Sequence, residues 1–168
     1  MSDVGFTIET MRACDWERVR EIYVEGIATG HATFETEAPG WDTWSRAHLP
    51  LGRLVARNAL SVIGWAALSP ASSRCAYAGV AEVSVYVSET MRGKGVGRRL
   101  LMKLIEESER GGIWTLQAGI LPENMASLEL HKSCGFREVG RRERLGKLNG
   151  VWRDVVVLER RSATVGTG

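Results

Sequence analysis

The chain has little of what marks a secreted, metal-bound or membrane-embedded protein. Its 168 residues include three cysteines, Cys14, Cys75 and Cys134, an odd number without close spacing. Neither a disulfide framework nor a zinc site is expected, and a reducing cytoplasm is the natural compartment. His31 and His48 show no metal-ligand spacing, and no metal is expected. No apolar run approaches the ~20 residues of a membrane span, and Asp3, Glu9 and Asp15 interrupt any signal-like start. A net charge of +2 is too small to point to nucleic acid as the main partner. Internal repeats, linkers and low-complexity blocks are missing. What is there, 44% apolar and 25% charged residues, fits one globular domain over 1–161 with a small polar tail, 162–168, that is expected to fray.

Periodicity divides the chain into alternating and helical stretches. Phe6 to Thr10 alternates and reads as a strand. Asp15 is placed to N-cap a helix over 16–28, with Trp16, Val19, Tyr23 and Ile27 at helical intervals. A polar loop with His31 to Glu37 follows, then a short helix from Gly40 to His48 with Trp41 and Trp44. Arg53–Arg57 and Leu60–Leu68 read as strands joined by a turn at Asn58-Ala59, and Ala78–Val87 as the next strand. In the helix over Gly95–Arg110, Val96, Leu100, Leu101, Leu104 and Ile105 form one apolar stripe. Trp114–Ile120 reads as a strand, Pro122 opens a helix to about Cys134, and Gly135 ends it. Phe136–Lys147 and Val151–Glu159 are the last strands, joined at Asn149-Gly150, the strongest short hairpin signal. The predicted class is α/β, with a mixed, mostly antiparallel sheet flanked by helices. Trp16 and Trp65 read as core; Trp41, Trp44 and Trp152 are candidates for a pocket or a dimer surface.

The most informative segment is Arg92-Gly93-Lys94-Gly95-Val96-Gly97-Arg98-Arg99, between a strand and a helix. Three glycines in five positions let the backbone bend and turn several N–H groups toward one point. The following helix adds unpaired N–H groups and the positive end of its dipole. From Met91 to Lys103 there are five basic residues and no acidic one. Such a device suits a phosphate or pyrophosphate. It is not a P-loop, because Lys94 precedes the last two glycines and no Ser or Thr follows. It is not a dinucleotide fingerprint, because the third glycine position is Arg98 or Leu100, depending on register. The pattern Gln/Arg-x-x-Gly-x-Gly/Ala fits at every defined position.

In that pattern the chain resembles the GCN5-related N-acetyltransferases, which hold the pyrophosphate of acetyl-CoA on this loop. Arg74 to Glu82, Leu121-Pro-Glu-Asn124, Leu130-His131, Asn149 to Asp154 and Phe34 to Glu37 resemble the phosphinothricin and methionine sulfoximine N-acetyltransferases in particular. The resemblance implies a seven-stranded sheet whose fourth and fifth strands are parallel and splay apart. It further implies acetyl-CoA as co-substrate, acetylation of the α-amine of a small amino acid or analogue, and a homodimer.

Such a transfer needs a base for the ammonium, polarisation of the thioester and an exit for the thiolate. Glu82 alternates with the apolar Ala81, Val83, Val85 and Val87 and shares a face with Ser84 and Tyr86 that does not look like core. It is either the base that the resemblance implies or a surface glutamate. The resemblance gives Val85, Tyr86 and Val87 a backbone role toward the pantetheine arm, and Arg92 to Arg98 (with Lys94 and Val96) the pyrophosphate. Asn124 is a pantetheine partner, a helix start, or both. His131 stands where many relatives carry a tyrosine; it is a candidate acid for the thiolate, against the alternative of a packed histidine. Ser133 is a further candidate cofactor contact. Arg74 suits a substrate carboxylate, with Cys75, Ala76 and Tyr77 beside it, and Phe34 and Glu35 are placed to close over the substrate. A protein N-terminus or polyamine acceptor, or a non-catalytic acyl-CoA sensor, is the alternative reading.

Overall fold

The computed structural model describes residues 5–168; the first four residues of the domain expected over 1–161 lie outside them. Seven strands form one sheet in the order β1-β2-β3-β4-β5-β7-β6: β1 (Thr7–Thr10), β2 (Leu54–Arg57), β3 (Val62–Pro70), β4 (Val80–Val87), β5 (Thr115–Ile120), β6 (Arg137–Leu148) and β7 (Val151–Arg161). Four helices flank it: α1 (Trp16–Ala28), α2 (Trp41–Ala47), α3 (Val96–Arg110) and α4 (Met125–Ser133). Every pairing is antiparallel except that of β4 with β5, which is parallel.

The two faces of the sheet bury different chemistry. On one, the predicted stripe of α3 (Val96, Leu100, Leu101, Leu104, Ile105) packs on Leu54, Ala56, Ala66, Leu68 and Val83, with Leu128 of α4 and Phe136 closing the far end. Each such leucine contributes about 1.5–3 kcal/mol when fully buried. On the other, α1 and α2 cover an aromatic cluster in which Trp44 and Trp65 are fully buried. Trp65 stacks on Tyr86 (centroids 4.8 Å, 13°), and Tyr23 meets both edge-on. Tyr86 therefore belongs to a second core, contrary to the expectation that its face is free of packing. Alternation identifies a strand's two faces but cannot tell which of them a helix covers.

Two local expectations are corrected. Asp15 makes no side-chain cap to α1. Its carboxylate instead accepts the Arg12 N–H at 2.9 Å and pairs with Arg57 at 2.7 Å. Burial works against its charge, but Arg57 and the Arg12 amide outweigh that and hold its carboxyl below the usual range. The helix after Pro122 starts three residues later, at Met125, because Asn124 accepts the Ser127 N–H and caps it there. The first residues of the tail expected to fray, 162–165, make hydrogen bonds. Ser162 is buried, donates to Glu109 at 2.8 Å, and its hydroxyl receives the Thr164 and Val165 N–H groups. Both turn residues Asn149 and Gly150 have positive φ (50° and 80°), as a two-residue hairpin requires.

Candidate active site

The parallel pair β4–β5 holds register only at Val80–Thr115, Ala81–Leu116 and Glu82–Gln117. Beyond that fork β4 stays paired with β3 as far as Val87, and β5 with β7 as far as Ile120. The strands part, and the β5-facing edge of β4 from Val83 onward is left without a strand partner. A cleft of about 650 Å³ opens there, within the size range of small-molecule sites.

One end of the cleft is the glycine loop. Gly93 and Gly95 have φ of 74° and 82°, in the left-handed region that side chains avoid. Gly97 has ordinary φ but packs closely: a Cβ there would lie 3.2 Å from Leu130 of α4. The first backbone bond into α3 runs from the Arg99 N–H to the Gly95 carbonyl. Among the described residues, the N–H groups of residues 93–98 have no backbone acceptor, so they are available to an anion at the positive end of α3. Arg92 bonds the Val87 carbonyl at 3.2 Å and lines the cleft with Gly93, Gly95, Val96, Gly97 and Arg98. Lys94 is exposed beside it. Arg98 also reaches Ser133 Oγ at 3.0 Å, so Ser133 meets the loop indirectly rather than lining the cleft.

The middle of the cleft holds Val85, Tyr86, Val87, Asn124 and His131. The carboxamide oxygen of Asn124 is committed to the α4 cap, which leaves its NH2 group for another acceptor. His131 is buried, edge-on to Phe136, with Nδ1 2.7 Å from the Ser127 carbonyl. A carbonyl can only accept, so Nδ1 carries the proton and Nε2 of the neutral ring is an acceptor. Burial pushes the imidazole below its ordinary value of 6.5, and the Ser127 carbonyl offsets this only in part. The expectation of His131 as proton donor therefore meets a physical objection: a donating Nε2 needs the imidazolium that burial disfavours.

Glu82 stands at the fork, exposed in the cleft, with Gln117 Nε2 3.4 Å from Oε2. Toward α1 the lining continues with Tyr23, Gly26, His31, Thr33, Phe34, Glu35, Trp44, His48 and Trp65. Burial raises the Tyr86 hydroxyl well above its ordinary value, so it stays protonated. Phe34 and Glu35 both line the cleft. Phe34 is anchored against Leu121, Leu148 and Val155, and Gly146 leaves room for its ring. Arg153 fixes the same loop by donating to the Gly30 carbonyl at 3.1 Å while pairing with Glu123 at 3.0 Å.

Arg74, Cys75, Ala76 and Tyr77 are not brought to the cleft. They form an exposed turn before β4, where the Arg74 guanidinium lies 5.4 Å from the Tyr77 ring centre. Sequence reasoning missed the wall built by Tyr23, Gly26, His31, Thr33, His48 and Trp65. Only the one-face spacing of Tyr23 and Gly26, three apart on α1, hinted at it. Among the described residues no group of three or more His, Cys, Asp or Glu side chains could hold a metal ion, and no helix is long and apolar enough to cross a membrane.

A glycine-loop anion site at a helix N-terminus, opening into a wedge between two parallel strands with a carboxylate at its fork, defines an acyl-transfer type of site on an α/β sheet. Residues 16–136 match the family model described as acetyltransferase (GNAT) family, and the chain belongs to that family. It is 36% identical over 162 residues to a phosphinothricin N-acetyltransferase of Alcaligenes faecalis, covering 92% of this chain and 81% of the relative. It is 32% identical over 158 residues to an L-methionine sulfoximine/L-methionine sulfone acetyltransferase of Salmonella typhimurium, covering 91% and 92%. Among solved structures, a GNAT phosphinothricin acetyltransferase from Sinorhizobium meliloti in complex with acetyl-CoA superposes with a TM-score of 0.87 at 29% identity, covering 97% of this chain and 91% of that one. The chain is thus an N-acetyltransferase with the GNAT fold, as the resemblance implied.

Proposed function

We propose that the cleft binds acetyl-CoA and transfers its acetyl group to the α-amine of a small amino acid or analogue, of the phosphinothricin, methionine sulfoximine or methionine sulfone type. The observation that carries this reading is the fork itself: a diphosphate site at one end of an unpaired strand edge and a carboxylate, Glu82, at the other. The names of the relatives support the acceptor class.

In this reading the N–H groups of residues 93–98, with Arg92 and Arg98, hold the diphosphate, and the free edge of β4 at Val85–Val87 pairs with the pantetheine arm. Lys94 adds positive charge at the loop, and the Asn124 amide is a further partner for the arm. Glu82 takes the proton of the incoming ammonium, directly or through a water in the open cleft. The amine nitrogen then forms its bond to the thioester carbon, the carbon–sulfur bond breaks, the thiolate leaves, and the second proton of the attacking nitrogen passes to the thiolate or to solvent. A thiol is acidic enough to leave as its anion without a dedicated acid, so the transfer does not need His131 to donate. His131, with Phe136 behind it, shapes the wall beside the thioester. Phe34 and Glu35 close the acceptor end.

The test is an acceptor screen with thiol release as the readout: amino acids, methionine sulfone, methionine sulfoximine, phosphinothricin, short peptides and spermidine. Turnover on the amino-acid group supports the reading, and its absence with peptide or polyamine turnover overturns it. Spermidine is included because Glu35 and Glu82 line the acceptor end and, among the described residues, no arginine or lysine lines the cleft beside them.

The β6–β7 hairpin supports a homodimer. β6 is an exposed edge strand of 12 residues, and Val139, Leu145, Val151 and Trp152 stand exposed on the hairpin. Such an edge is ordinarily paired or covered. Light scattering should give twice the chain mass of 18.5 kDa; a monomer at micromolar concentration contradicts the dimer.

A further inference from the structure

The segment that enters the glycine loop is tied to α1 by two side chains that no step of the reaction uses. Arg18 and Glu25 stand seven residues apart, two helical turns, and so share a face of α1. The Arg18 guanidinium lies 3.4 Å from Glu25 Oε1 and 2.8 Å from Glu21. Its other nitrogens donate to Ser88 Oγ at 3.1 Å and to the Val62 carbonyl at 3.2 Å. The second oxygen of Glu25 accepts the N–H of Glu89 at 2.7 Å. Ser88 is buried, and its own N–H donates to the Ile63 carbonyl at 2.9 Å.

Ser88 and Glu89 are the residues by which the chain leaves β4, and Glu89–Met91 is a single 3-10 turn. They are therefore gripped from α1 and from β3. Past Arg92 the backbone ties stop, because residues 93–98 keep their N–H groups free. The bracket holds the turn from which the loop springs, and the loop's glycines lose more conformational freedom on ordering than other residues would. Ordering such a loop at the moment of binding subtracts from affinity, and a preset entry angle removes part of that loss.

We infer that Arg18 and Glu25 are positioning residues which preset the coenzyme A loop before the coenzyme arrives. The inference rests on the reading of residues 92–98 as the diphosphate site. Glu25 acts through a charge-assisted hydrogen bond at the first N–H of the turn. Arg18 acts by joining that carboxylate to Ser88 and to β3 at once, which its planar fork permits and an ammonium does not. The same helix carries Tyr23 and Gly26 to the acceptor wall, so the two roles must be read separately.

The experiment measures the Kd for coenzyme A by calorimetry, and the KM for acetyl-CoA and for the acceptor, in Glu25→Ala, Glu25→Gln and Arg18→Lys. A preset loop predicts that Glu25→Ala raises the Kd and the acetyl-CoA KM about fivefold to tenfold. The acceptor KM and the kcat at saturating cofactor should stay near wild type. Glu25→Gln keeps an oxygen that can accept the Glu89 N–H and should recover most of the loss. The melting temperature should change little, since partly exposed ion pairs add little to stability. An unchanged Kd in Glu25→Ala, or equal rises in both KM values without recovery in Glu25→Gln, overturns the inference. If Glu25→Ala does not fold, Arg18→Lys carries the test, with the same cofactor-selective rise expected and an unchanged Kd overturning it. A wild-type protein with no coenzyme A affinity would instead remove the underlying loop assignment.

Discussion

Glu82 and Gln117 are the last residues to face one another across β4 and β5 before the strands part, and the Gln117 amide lies 3.4 Å from the Glu82 carboxylate. The register of a parallel pair thus decides where the fork opens and which side chain stands in it. A one-residue slip would turn Glu82 to the α3 face and replace it with Ala81 or Val83. Replacing Glu82 by Gln keeps shape and removes the proposed base. The expected outcome is a loss of 10²- to 10⁴-fold in kcat/KM, the usual weight of general base catalysis, with the Kd for coenzyme A unchanged. Steady-state kinetics beside calorimetry checks both halves.

Gly95 sits in the left-handed region at the N-terminus of α3, and a Cβ there would meet nothing within 4 Å. The cost of Gly95→Ala is therefore conformational, about 1–2 kcal/mol, and not steric. The variant should fold with a lowered melting temperature and bind coenzyme A more weakly, because residue 95 relaxes toward negative φ and turns its neighbours' N–H groups away. A thermal melt and a binding isotherm on the same sample test this.

Gly26 makes room for a side chain. A Cβ at this position would lie 2.6 Å from the ring of Tyr86, too close for the two to coexist without movement. Gly26→Ala should destabilise the fold by about 1–3 kcal/mol, as overpacking does, and raise the acceptor KM by displacing Tyr86 in the cleft wall. Chemical denaturation and acceptor kinetics measure the two effects; a neutral Gly26→Ala would show that the Tyr86 ring is freely movable.

His131 and His48 both titrate below the ordinary 6.5, each chiefly because burial disfavours the charged ring. A histidine whose folded value is depressed binds fewer protons folded than unfolded. Stability from this source is intact above about pH 6.5. It falls as the pH drops below that value, until the folded-state groups themselves titrate. Asp15 and Glu109, held below the carboxylate range, add a separate loss only at more acidic pH. Denaturation midpoints should therefore decline between pH 6.5 and 5, and His131→Gln should flatten part of that decline. Its activity should drop by less than the factor of about 10² expected for loss of a true general acid.

Much of this was legible in the chain. The α3 stripe, the Asn149-Gly150 hairpin and the succession of strands and helices along the chain followed from periodicity and turn chemistry. The glycine loop was readable because positive φ and free N–H groups demand specific residues at fixed offsets. The acceptor wall was not readable in the same way. Tyr23, Thr33, Trp65 and Tyr86 come from separate elements, and only the packing of α1 and α2 on the sheet brings them together. Arg74 illustrates the converse: its chemistry suits a carboxylate, yet the turn that carries it does not line the cleft. Local spacing records a motif that lies on one element; it does not record which loops converge.

The wedge beyond Glu82 and Gln117 is proposed as the coenzyme site. A crystal structure of the protein with coenzyme A tests it most directly. The diphosphate is expected on the N–H groups of residues 93–98, the pantetheine along the free edge of β4 at Val85–Val87, and the sulfur within the cleft near Glu82. A diphosphate bound elsewhere, or a pantetheine arm that leaves the β4 edge unpaired, would contradict it.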